Sequence, residues 1–229
     1  MGNRAIEKSS SYGARLPNFD RSWYFYFMAG RAREIKPGRK GSGPVIYWMS
    51  RDQRVADNWA LLHAQTAALA ARRPLAVAFC LAPEFLGATL RQYGFMVRGL
   101  AETAAELERK SISFFLLRGV PPEEITRLCR KLDPSLLVAD FDPLRVKRQW
   151  LAATAASVTA PVEEVDAHNI IPAWTASGKQ EWMARTIRPK IERLLPDYLV
   201  DFPPLRKHPH RLTSTPAPPD WGRLWDGLK

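Results

Sequence analysis

The side chains best placed to do chemistry fall in four short groups. Ser50, Arg51, Asp52 and Arg54 follow the apolar run Val45–Met49 (VIYWM). Asp140 and Asp142 close the run Leu136–Phe141 (LLVADF), and Asp166, His168 and Asn169 follow Val162–Val165. Arg185, Arg188, Lys190 and Arg193 share a basic stretch beside Trp182. Guanidinium and amide donors at the end of a buried strand suit a ligand carrying phenolate, phosphate or carboxylate groups. Arg51 and Asp52 can equally pair with each other or with a later segment and lock the structure. Asp142 stands before Pro143 and fits a helix cap, which leaves Asp140 as the carboxylate able to reach a ligand hydroxyl. Asp166, His168 and Asn169 fit ligand contact and linker fixing alike. The basic stretch suits a nucleic-acid groove, a docking face for another domain, or a solvated surface.

Other chemistries find no support. Cys80 and Cys129 are the two cysteines, one in a predicted strand and one on the apolar side of a predicted helix, so neither a disulfide framework nor structural zinc is indicated. His63, His168, His208 and His210 are too scattered for a metal site. Gly38, Gly41 and Gly43 precede the first predicted strand instead of following it, and no GK[ST] occurs, so the phosphate-loop pattern is not met. Ser50 lacks the GxSxG surround of a nucleophile elbow.

The elements that must carry these groups alternate along the chain. Val45–Met49, Leu75–Leu81, Ile112–Leu117, Leu136–Phe141 and Val162–Asp166 read as strands, and amphipathic segments separate them, the pattern of successive βαβ units. Asp57 or Asn58 can cap a helix running to about Ala71 that buries Trp59, Leu62 and Leu69. A second helix is predicted over Phe95–Arg109, with Met96, Leu100, Thr103 and Leu107 inward. Pro121 and Pro122 open a third, whose Ile125, Leu128, Cys129 and Leu132 share one face. Asp142-Pro143 begins a fourth reaching about Ala155. Trp48, Trp59 and Trp150 fall at predicted core positions. The expected fold is a doubly wound α/β domain: a five-stranded parallel sheet with helices on both faces, whose ligand site lies beyond the strand carboxyl ends.

The chain has 229 residues and a formal net charge of +11, which favours an anionic partner. No apolar run approaches the ~20 residues needed to span a bilayer, and Trp23–Ala29 lacks the features of a secretory signal; a cytoplasmic protein is expected. Residues 1–43, with Ser9–Ser11 and a basic Gly-rich stretch, read as an irregular basic extension. The α/β domain is assigned to 44–172 and a linker to 173–229.

One segment narrows the family. Tyr47–Leu61 (YWMSRDQRVADNWAL) resembles the opening signature of class II cyclobutane-pyrimidine-dimer DNA photolyases. Leu136–Arg145 (LLVADFDPLR), Val165–Pro172 (VDAHNIIP), Lys179–Ile191 (KQEWMARTIRPKI) and Leu195–Leu205 (LPDYLVDFPPL) continue the resemblance in order. Trp182-Met183 departs from it. The resemblance implies an α/β domain able to hold an antenna pigment of deazaflavin, folate or FMN type near Ser50, Arg51, Asp52, Arg54 and Asp140. It also implies a helical domain that binds FAD and UV-damaged DNA. Asp220–Lys229 (DWGRLWDGLK) resembles the connector into that helical domain, so the expectation is a chain truncated before the flavin site and unable to repair DNA alone. Arg185, Arg188 and Lys190 are then docking or DNA residues. Two other readings are a stand-alone pigment- or nucleotide-binding module and a non-functional fragment.

Overall fold

The computed structural model describes Met28, residues 30–213 and residues 217–226; Ser9–Ser11 and most of the Trp23–Ala29 run lie outside the described residues. Six strands form one sheet: β1 (Ala32–Lys36), β2 (Val45–Trp48), β3 (Leu75–Leu81), β4 (Ser113–Arg118), β5 (Leu136–Asp140) and β6 (Val162–Val165). Their spatial order is β1-β6-β5-β2-β3-β4. The five expected strands, β2 to β6, are all parallel to their neighbours, whereas β1 joins the edge antiparallel to β6. From β2 the chain steps to β3 and β4 on one side, then returns to lay β5 and β6 on the other. Strand order therefore reverses between β2 and β5.

The main helices are α1 (Trp59–Ala71), α2 (Leu90–Arg109), α3 (Pro121–Leu132) and α4 (Arg145–Ser157). Every residue of β2 and β3 is buried, and the alternation of their side chains divides the core in two. Tyr47, Val77, Phe79 and Val138 pack with Trp59, Leu61, Leu100 and Leu107 of α1 and α2. Ile46, Ala76, Ala78 and Leu137 pack with Ile125, Cys129, Leu151 and Ala155 of α3 and α4 on the opposite face. Both cysteine thiols sit in this interior, pushed up to about 12 by burial, so packing accounts for them.

Several details differ from expectation for local reasons. The stretch assigned as an irregular extension contains β1, whose charged Arg33 and Glu34 disguise an edge strand and are the residue types that keep such edges from pairing further. Arg33 stands opposite Glu164 and pairs with it at 2.6 Å. Helix α2 starts five residues before its predicted Phe95, because the Gln92 side chain turns back to accept the Thr89 amide at 2.7 Å. Asn58 and not Asp57 caps α1, its Oδ1 accepting the Leu61 amide at 2.9 Å. Leu69 is half-buried and Ala68 takes the inward position. Asp142 accepts the Leu144 amide at 2.9 Å and tightens the turn through Pro143, so α4 begins at Arg145. Trp150 is half-buried, its ring centroid 5.8 Å from that of Phe85. Gly43 sits where an added Cβ would meet the Leu132 carbonyl, and its own amide donates to Asp133 O at 2.8 Å. The glycines before β2 thus serve close packing.

Beyond β6 come α5 (Ala173–Ala176), α6 (Ala184–Tyr198) and α7 (Trp221–Asp226). One side chain ties this region to the amino-terminal arm. Arg31, 1% exposed, donates from Nη1 to the carbonyls of Asp166 and Asn169 at 3.2 and 2.9 Å and from Nη2 to that of Ile170. Its guanidinium lies 5.1 Å from the Trp59 ring and 5.3 Å from that of Tyr198. Burial lowers its pKa to about 10, still charged at neutral pH. Replacing it leaves three carbonyls short of a donor in a closed space. Arg31→Ala is therefore expected to lower unfolding stability by about 3 kcal/mol or more, and Arg31→Lys to recover less than half, as urea denaturation would measure.

Candidate functional site

The reversal between β2 and β5 brings two strand ends together, and there the conserved geometry of α/β sheets puts a crevice. Asp140, the last residue of β5, is buried and works as a hub. Its Oδ1 accepts the Tyr47 hydroxyl at 2.6 Å, and its Oδ2 accepts the amides of Ser50 and Arg51, each at 2.8 Å, and of Asp52 at 3.4 Å. Three successive amides converging on one carboxylate oblige the chain to turn as it leaves β2. Burial pushes the Asp140 carboxyl up to about 6 against the pull of these hydrogen bonds. Burial and the Asp140 charge push Tyr47 well above the usual tyrosine range, keeping its hydroxyl a donor.

Asn58 closes the turn from the other side. Its Nδ2 donates to Tyr47 Oη at 3.1 Å and to the carbonyls of Asp52 and Arg54 at 2.9 and 3.1 Å, while its Oδ1 caps α1. The R-D-Q-R turn is thus held by one carboxylate below and one carboxamide behind.

Of the five residues expected around a pigment, the structure divides the set. Ser50 and Asp140 line a narrow cleft at the strand tips with Trp48, Asp142, Lys147 and Arg148, about 10 Å³ in volume, room for about one water. Arg51 lies outside this lining, its Nη1 donating to Phe141 O at 3.3 Å. Asp52 turns toward Arg54 at 3.3 Å and His168 at 3.4 Å, and Arg54 also donates to the Asp57 carbonyl at 3.1 Å. Asp140 borders the cleft with both oxygens already engaged.

Lys147 was not singled out from sequence, and Trp150 falls at a predicted core position. Lys147 Nζ lies 4.9 Å from the Phe85 ring and 5.2 Å from the Trp150 ring, and burial lowers its pKa while Asp142 and Asp140 oppose that. Their spacing of three on α4 places both on one helical face, the only signal available. Roomier concavities lie elsewhere: about 680 Å³ beside His63 and Glu163, which meet at 2.6 Å, and about 380 Å³ between α2 and Trp221.

Asp166, His168 and Asn169 are occupied in fixing the chain after β6. Asp166 Oδ2 accepts the Ala173 amide at 2.8 Å, and both Asp166 oxygens accept from Asn169. On α6, Arg185, Arg188 and Arg193 are exposed, but Lys190 is pinned to Glu181 and to Ser177 Oγ, the latter at 2.9 Å. The lysine holds the Glu181 carboxyl down to about 2.

Because Asp140 ionises less readily in the folded chain than its ordinary 3.8, the folded state holds the extra proton between these values. Its stabilising effect is complete below about pH 4 and is lost as pH rises through about 6. Between those limits the wild type should lose on the order of 2 kcal/mol more stability than Asp140→Asn. Urea titrations at stepped pH would check this; parallel profiles would mean the carboxyl titrates alike in both states.

A family model described as DNA photolyase matches residues 45–210. Deoxyribodipyrimidine photo-lyase of Potorous tridactylus is 48% identical over 190 residues, covering 82% of this chain and 36% of that protein. Its counterpart in Oryza sativa subsp. japonica is 48% identical over 212 residues, covering 86% of this chain and 40% of the relative. The chain therefore spans about two fifths of the length of these relatives. A solved cryptochrome of Synechocystis sp. PCC6803 superposes with a TM-score of 0.54 at 15% identity, over 80% of this chain and 41% of that one, a likeness of fold. The match over residues 45–210 and these identities establish that the chain belongs to the DNA photolyase family.

Proposed function

We propose that this chain is the light-gathering α/β part of a class II photolyase, with residues 44–172 holding an antenna pigment and 173–229 forming the connector to a helical domain. The observation that carries the reading is the R-D-Q-R turn, drawn over the sheet's reversal point by Asp140, with Ser50 lining the cleft and Arg51 the next residue along the chain. In this reading the acidic edge of a deazaflavin, or the phosphate of FMN, meets Arg51, Lys147 and Arg148, while Phe85 and Trp150 offer ring faces for stacking. Admission of a ring requires Lys147 and Arg148 to swing out of a cleft that now fits about one water. When bound, the pigment supplies light absorption and passes excitation to the flavin of the helical domain.

Splitting of pyrimidine dimers, FAD binding and contact with UV-damaged DNA are then the work of the whole protein, to which this part contributes light capture and a docking face. Arg185 and Arg188 serve that docking. No helix among the described residues is long and apolar enough to cross a membrane, and a cytoplasmic location belongs to the same proposal.

Titration of the purified chain with a deazaflavin and with FMN, followed by pigment fluorescence, tests the reading. Micromolar binding of one of them is expected, weakened roughly tenfold by Arg51→Gln or Lys147→Gln through loss of a charge-assisted hydrogen bond. Failure of every pigment to bind the folded chain would remove the antenna role and leave the family assignment intact.

A further inference from the structure

The end of the sheet opposite the strand tips has a chemistry of its own. There the loops entering β2, β3 and β5 lie side by side, joined by hydrogen bonds from the amides of Gly41 to Pro134 O, Val45 to Pro74 O and Ser135 to Pro44 O, between 2.9 and 3.0 Å. Four crossover helices finish at this end, and the first three each finish on a pair of cations. Arg72 and Arg73 follow α1, Arg109 and Lys110 close α2, and Arg130 and Lys131 occupy the last turn of α3. Such placements are favoured by the negative end of the helix dipole.

The loops add cations that no dipole explains. Arg39 and Lys40 precede β2 and are exposed, and Arg206, Lys207 and Arg211 are presented by a segment that crosses the ends of α1 and α2. That segment is fastened at four points. Gln65 donates to Arg206 O at 2.7 Å and accepts its amide at 3.0 Å, Lys110 Nζ donates to Leu205 O at 2.9 Å, the His208 amide donates to Lys110 O at 2.7 Å, and His208 Nε2 donates to Arg73 O at 2.9 Å. Leu205 and His208 are buried while Arg206, Lys207 and Arg211 face outward. The neighbouring carboxylates are few among the described residues: Asp133, paired with Arg39 at 2.8 Å, Glu108, and beyond Lys40 both the exposed Glu34 and the His63-engaged Glu163.

We propose that this end of the domain docks the phosphate backbone of nucleic acid without regard to sequence or damage. Four strand starts at ~4.8 Å spacing give a face on the order of 15 Å wide, which meets several phosphates of a duplex carrying one charge per ~1.7 Å. A held loop presents its guanidinium forks without the ordering cost of a free one. An anionic membrane is the poorer partner, because surface-bound proteins insert apolar side chains. The large exposed ones described here, such as Leu86, Phe95, Val120, Ile170 and Trp182, belong to the loops after the strands, to α2 and to the stretch before α6. The surface is remote from the strand tips, so it stands whether or not a pigment binds.

The experiment is fluorescence anisotropy of an undamaged 20-base-pair duplex with the full chain over a salt series. Arg206→Gln/Lys207→Gln/Arg211→Gln should weaken binding at least tenfold and reduce the log–log salt slope by about 2 to 3. Arg185→Gln/Arg188→Gln/Arg193→Gln, which removes equal charge from α6, should change affinity less than about threefold. Equal losses in the two variants would show that net charge alone governs binding, and no loss in the first would place the contact elsewhere; either overturns the proposal. So would salt-sensitive capture by phosphatidylserine vesicles without duplex binding. Thermal unfolding confirms that the triple variant is folded, and Lys207→Gln alone, expected to lower the slope by about one, serves if it is not.

Discussion

A single buried carboxylate decides what the tips of this sheet can do. Asp140 is removed from water at a cost that would ordinarily neutralise it, and its pKa of about 6 records that cost. Three backbone amides and the Tyr47 hydroxyl offset part of it, and in doing so they dictate the path of residues 50–52. The same bonds settle a chemical question. A carboxylate accepting from four donors has little capacity left for a ligand, so Asp140 acts by shaping the cleft, and the groups free to meet a ligand are cations drawn from other elements.

The resemblance motif acquires a physical meaning from this arrangement. In R-D-x-R followed by D-N, Asn58 reaches four partners at once: its Oδ1 accepts the Leu61 amide, and its two Nδ2 hydrogens are shared among two turn carbonyls and the Tyr47 hydroxyl. No other side chain of that size offers both a carbonyl and an amide at that reach. Asp52 links the first turn to His168 in the turn after β6, and Arg31 gathers the carbonyls just beyond. Two short turns far apart in sequence are thus fixed to each other and to α6 through a buried guanidinium between Trp59 and Tyr198.

What the sequence makes legible follows from how each element is stabilised. Strands β2, β3 and β5 announce themselves because interior parallel strands are apolar on both faces, and α3 because Ile125, Leu128 and Cys129 fall on one stripe. Edge strand β4 is marked by its apolar run from Phe114 to Leu117, and β6 only by the valines that flank its two glutamates. Strand β1 stays hidden, since an edge strand needs little apolar content and carries charge to discourage further pairing. The early start of α2 was readable in principle: Thr89 and Gln92 have the spacing of a capping box, but Gly94 interrupts the helical pattern. At the site, the clustering of Ser50, Arg51 and Asp140 could be foreseen from strand ends alone. Which way Asp140 faces could not, because its direction depends on pairing β5 with β2, a contact ninety residues distant in sequence. Lys147 joined the site for the same reason, carried there by the return of α4 over the sheet.

Parallel βαβ construction also polarises the domain. Every crossover helix begins near the strand tips and ends at the opposite face, so the partial positive ends of the dipoles collect beside the cleft and the negative ends beneath the sheet. Four helix ends supply roughly half a charge each beneath the sheet, and the paired cations at α1, α2 and α3 already exceed that sum. The additional cations of the Arg206–Arg211 segment therefore cannot be explained as dipole compensation, and they add to an end that is already positive. An anionic group finds favourable fields at both ends, but of different kinds. At the tips the field comes from oriented donors in a narrow, partly dry cleft, where a small planar acid gains most. At the far end it comes from exposed charges on a broad face, where only a polyanion that displaces many counterions at once gains appreciably.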